Sequence, residues 1–157
     1  MNGTIAQETF TQQFFEILDE AFVTHHGFFL DRGNSLFETL AEISAAEASV
    51  PVGGKCASLA AQVTHVIFYL DVTEQYMVGQ PPQNVDWNEI WRTVEKISPD
   101  EWNALREKLT TTYQRVNALM RAQTNWDNAD FLGGALAIVV HTAYHLGEIR
   151  QALCTLR

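Results

Sequence analysis

Four segments of this chain carry apolar residues at steps of three and four, and that spacing constrains the fold more than any other feature. One side of an α-helix recurs about every 3.6 positions, so such a stripe can be buried only where the segment is helical. The longest stripe is Trp102, Leu105, Leu109, Tyr113, Val116 and Met120. It follows Ser98-Pro99-Asp100-Glu101, which sets a capping Ser, a Pro at the first helical position and a Glu three residues after the cap. Phe10, Phe14, Ile17, Leu18, Ala21 and Phe22 predict another helix over 7–25. Residues 56–77, "CASLAAQVTHVIFYLDVTEQYM", hold neither Gly nor Pro and are apolar on more than one side, as a widely buried helix requires. Gly79, Pro81 and Pro82 end that helix. The fourth segment is "FLGGALAIVVHTAYHLGEIRQALCTL", residues 131–156.

Shorter pieces fill the gaps. Ser35 with Glu38 and Ser44 with Glu47 are capping boxes, in which cap and carboxylate satisfy each other's orphan donors, so two short helices start there. Trp87, Ile90, Trp91 and Val94 share helical spacing and predict one more. With no strand alternation, the fold class expected is all-α: a four-helix bundle with short extra helices in the first and third connections. The 157 residues show one composition regime, hydrophobic 46% and charged 18%, and read as a single domain over 1–157.

Ten Lys plus Arg stand against nineteen Asp plus Glu, a net charge of −9 that repels phosphate backbones and anionic headgroups. No nucleic acid and no membrane are therefore expected as partners, and the longest late apolar run, 135–140, is far short of the roughly 20 residues of a membrane span. The polar opening stretch is unlike a signal peptide, which makes a cytoplasmic location the expectation. Cys56 and Cys154 form no CxxC motif and are expected as reduced thiols packed like small apolar residues.

His141 and His145 lie one turn apart on the same side of the last helix, near enough to reach one ion. Zinc and nickel accept neutral imidazole readily, and catalytic centres commonly use three protein ligands with a position left open. The pair alone reads equally as two amphipathic residues at a partly solvated face. His65 adds weight, because an imidazole inside "AAQVTHVIFYLDV" needs a hydrogen-bond partner or a metal to offset its desolvation. Both readings stay open on residue chemistry: three ligands of one ion, or three satisfied core residues. His25 and His26 point about 100° apart around the first helix and are left outside the site. Trp87, Trp91, Trp102 and Trp126 are core or cavity-lining candidates.

A His in "QVTHVIFYLD" followed some seventy residues later by "HTAYHLGEIRQAL" resembles the DinB-like superfamily of four-helix-bundle metalloenzymes. His141, His145, Gly147, Ile149, Arg150 and Leu153 carry the most specific part of the likeness, which spans nearly the whole chain. The resemblance implies a divalent metal held by His65, His141 and His145. It also implies a thiol-dependent S-transferase acting on a small-molecule substrate with a low-molecular-weight thiol, beside which metal-assisted hydrolysis fits the same ligands. A homodimer is the assembly it implies. The alternative is a non-enzymatic metal- or ligand-binding module of a stress response. Gln62 and Glu148 are within reach of the ligand imidazoles by spacing, whereas Arg150, five residues after His145, points away from their face.

Overall fold

The computed structural model describes residues 4–52, 56–88, 90–91 and 96–157. Six helices lie among them: α1 (Gln7–Phe22), α2 (Leu36–Ala41), α3 (Ala45–Ala48), α4 (Leu59–Met77), α5 (Pro99–Ala122) and α6 (Ala129–Leu156). The four long ones form the bundle, with α4 packed most extensively against α6 and α5, and α1 lying on α6. Their inward stripes meet in one core, where Leu18, Phe22, Leu70, Leu109, Met120, Ile138 and Ile149 are fully buried. The α5 stripe is buried as spaced, except that Leu105 is only half-buried.

Local chemistry sets the ends. Ser98 and Glu101 form the expected capping box under Pro99, and the boxes at Ser35–Glu38 and Ser44–Glu47 open α2 and α3 in the first connection. Ser58 Oγ accepts from Ala61 N–H, so α4 begins at Leu59 rather than at Cys56. Cys56 is thereby left before the helix and exposed, and Cys154 sits on the outer side of α6, also exposed. The expectation that both thiols are packed like small apolar residues is thus overturned. α1 stops at Phe22, three residues short of His25.

The third connection, 123–128, carries no helix. Asn125 Oδ1 accepts from Asp127 N–H and Asn128 Oδ1 from Phe131 N–H, and these local bonds compete with a helical backbone until α6 is capped. The short helical piece lies instead in the second connection, where Ile90 and Trp91 are helical; Val94, the last member of that expected segment, lies outside the described residues. α6 holds a stretch apolar and long enough to cross a membrane by length and composition alone. Its packing against both α4 and α1 asks for the same composition.

Candidate metal centre

α4 and α6, the most closely packed pair, bring the three histidines together. His65 comes from α4; His141 and His145 come from successive turns of α6. His65 and His145 are buried, at 8% and 5% exposure, and His141 is half-buried. His141 Nε2 lies 3.2 Å from His65 Nε2 and 3.2 Å from His145 Nε2. Three nitrogens bound at about 2.0–2.1 Å to one tetrahedral ion lie about 3.3–3.4 Å apart, so these separations suit a shared ion.

Proton counting points the same way. Glu148 Oε2, 2.9 Å from His145 Nδ1, can only accept, and Gln62 Oε1 lies 2.6 Å from the same nitrogen. The single N–H of a neutral His145 is therefore on Nδ1, and its Nε2 turns a bare lone pair toward His141. Whichever way His141 is protonated, one N–H serves only one of its two neighbours, so protons alone leave one 3.2 Å contact without a hydrogen bond. A divalent cation takes all three lone pairs at once. The donor set thus fits a metal, and the neutral state it needs is already favoured. Burial first, and then the neighbouring imidazoles, push His65 down to about 4 and His141 down to about 3; burial also lowers His145, against the pull of Glu148.

An aromatic ring braces each ligand. Tyr69 stacks on His141 at 3.5 Å and 6°, Trp91 packs on His65 at 4.6 Å, and Tyr144 meets His145 edge-on at 5.0 Å. Trp91, 38% exposed, covers His65 from the solvent side, and Trp87, 39% exposed, packs on Tyr69 at 6.1 Å, while Trp102 and Trp126 are buried. Beside the centre opens a hollow of about 480 Å³ lined by Cys56, Gln62, Tyr144, Gly147, Glu148 and Gln151.

All three expected ligands converge, and Gln62 and Glu148 stand where spacing allowed. His25 and His26 lie apart, on the loop after α1, where His26 Nε2 pairs with Asp19 at 2.6 Å. Arg150 points away from the ligands and donates to Thr39 Oγ1 at 3.3 Å. Sequence reasoning missed Tyr69 and Tyr144. Tyr69 was signalled: it lies four residues after His65, on the same helix face.

The fold and the cluster define an all-α bundle with a three-histidine centre compatible with metal binding. The family model of the DinB superfamily matches residues 30–149, a span that includes all three histidines, and the chain belongs to that superfamily. Among curated proteins and among solved structures, none matches the chain.

Proposed function

We propose that the protein is a divalent-metal-dependent enzyme in which His65, His141 and His145 hold zinc or nickel. The observation that carries this reading is the convergence of three neutral Nε2 atoms, with separations of 3.2 Å at His141. When bound, the ion supplies Lewis-acid chemistry that lowers the pKa of a water or thiol. Glu148 and Gln62 hold the His145 ring, Tyr69 and Trp91 hold the other two, and Trp87 with Trp91 narrows access by water. The hollow, mostly apolar but carrying the polar side chains of Gln62, Tyr144 and Gln151, is of a size for a small-molecule substrate or a low-molecular-weight thiol. Thiol-dependent S-transfer is the preferred reaction and metal-assisted hydrolysis the next. A cytoplasmic homodimer completes the proposal: Leu136, Val140 and Tyr144, 44%, 68% and 61% exposed, align at steps of four on α6 as a face for a second copy.

A second reading, a metal-binding module without catalysis, is favoured by the commitment of Glu148 to His145 Nδ1, which occupies the carboxylate placed at the centre. Metal content and thermal melting with and without chelator, for wild type and His65→Ala, test the centre. Bound metal and a chelator-sensitive melt are expected in wild type only; a metal-free protein indifferent to chelator under any metal supply would overturn the reading. Turnover of thiols with electrophiles, or of esters and amides, above metal-free protein separates enzyme from module.

A further inference from the structure

The metal centre makes no use of the most deeply buried charge among the described residues. Glu20 on α1 has zero exposure, and its carboxylate accepts the backbone N–H groups of His26 at 3.3 Å, Phe28 at 2.8 Å, Phe29 at 2.9 Å and Leu30 at 2.6 Å. Gly27 and Gly33 turn the chain with φ of +90° and +77°, and Ser35 Oγ closes the loop onto the Val23 carbonyl at 2.8 Å. With its N–H groups drawn inward, this loop presents Phe28 and Phe29 outward, 44% and 45% exposed. A buried carboxylate that holds two phenyl rings in water organises a surface rather than a core.

That surface faces α6 across two adjoining hollows, with Arg150 and Cys154 lining both. One, of about 460 Å³, holds Arg32, Arg150 and Arg157 against a single carboxylate, Glu42, in a chain with only ten cationic side chains. The other, of about 390 Å³, is lined by Phe29, Leu30, Leu146 and Gly147. Arg157 is engaged, through Glu47 at 2.9 Å and the Glu42 carbonyl at 2.9 Å. Among the described residues no carboxylate pairs with Arg32 or with Arg150, whose half-buried guanidinium meets only the Thr39 hydroxyl. Guanidinium forks match the planar oxygens of carboxylate and phosphate, and a partly desolvated one without an anion is a site for one.

We infer that the cleft between the 26–34 loop and α6 binds a small oxyanion carrying an apolar tail, the head on Arg32 and Arg150 and the tail along Phe29, Leu30 and Leu146. The site is separate from the metal centre, because Arg150 projects from another side of α6 than His141 and His145. Glu20 is its positioning residue, acting through the loop.

Amide NMR titration of the full chain tests the cleft, with octanoate and octyl phosphate as probes and acetate and octan-1-ol as head-only and tail-only controls. Either amphiphile should bind about ten-fold more tightly than acetate, since its tail leaves water, and shift the amides of Arg32, Asn34, Thr39 and Cys154. The tighter of the two supports the site and names its head group. Arg32→Gln and Arg150→Gln, the former on an exposed side chain, should each weaken amphiphile binding about ten-fold by removing a charge-assisted fork. Phe29→Ala should weaken the amphiphiles and leave acetate unchanged, and His65→Ala should leave all four titrations unchanged. Equal binding of octanoate by the Arg32→Gln/Arg150→Gln double variant, equal binding of octanol, or an absence of shifts up to the solubility limit would overturn the inference.

Discussion

Replacing Glu20 with Gln keeps the shape of the side chain and removes the charge that four backbone N–H groups converge upon. Burial raises the carboxyl pKa, but the bonds from Leu30, Phe28, Phe29 and His26 outweigh it and hold the group down at about 2, against an ordinary 4.5. A depressed folded-state pKa means that the unfolded chain binds more protons between those values. The stabilisation is therefore complete above about pH 4.5 and lost as the pH falls toward 2. A carboxyl held at about 2 rather than 4.5 corresponds to about 3 kcal/mol at pH 7, and the same linkage leaves about 1 kcal/mol at pH 3. In Glu20→Gln one amide oxygen replaces two carboxylate oxygens and an NH₂ meets N–H donors, so the loss at pH 7 should be at least that 3 kcal/mol.

Urea unfolding of wild type and Glu20→Gln at several pH values between 3 and 7 measures this directly, since the difference cancels every other titrating group. The unfolding free energies should lie far apart at neutral pH and approach each other by about 2 kcal/mol on going to pH 3, with unchanged slopes. A cost below about 1 kcal/mol at pH 7, or a gap that does not move with pH, would refute the claim that backbone donors stabilise the ionised carboxylate.

Two further outcomes follow from the same coordinates. Glu148→Ala removes one of the two acceptors on His145 Nδ1, so zinc affinity measured by competition with a chromophoric chelator should fall about 10- to 100-fold while the far-UV spectrum stays helical. Gly147→Ala should raise stability by about 0.5–1 kcal/mol in thermal or urea unfolding, because a Cβ there meets nothing within 4 Å and glycine inside a helix is unfavourable.

How far the fold can be read from the chain depends on the range of the forces involved. The stripes of α1 and α5 and the three capping boxes are local, and the structure follows them within a turn. The start of α4 differs from the expected Cys56 because Ser58, two residues on, caps the helix, and a polar residue among apolar ones reads as interior until its hydroxyl finds a backbone N–H. Glu20 is harder: it lies about 200° around the axis from Leu18 and from Phe22, on what spacing makes the solvent side. It is buried only because the 26–30 loop folds over it, a contact that no periodicity encodes. The ligand histidines were legible because spacing and family motif coincide on them. Trp91 was legible as an aromatic with a cavity to line, but not as the cover of His65, since its position depends on how the second connection returns across α4.

The three histidines also differ in what fixes them, and the difference bears on how well they suit a metal. Their backbones are held by α4 and α6, the most closely packed pair, so the core and not a loop sets the Cα positions. At His145 a carboxylate and an amide dictate the tautomer before any ion arrives. At His65 and His141 the Nδ1 atoms are buried without a protein partner among the described residues, and apart from the Nε2 contacts at the centre the rings are held by aromatic faces. Stacking fixes a ring's plane but is indifferent to which nitrogen carries the proton. For these two imidazoles an ion between the Nε2 atoms would select the tautomer. Were His65 and His141 to hold a cation through Nε2, both would carry their protons on Nδ1, at a desolvation cost of about 1–3 kcal/mol for each unpaired N–H, which lowers the affinity of the centre relative to one with both Nδ1 atoms paired.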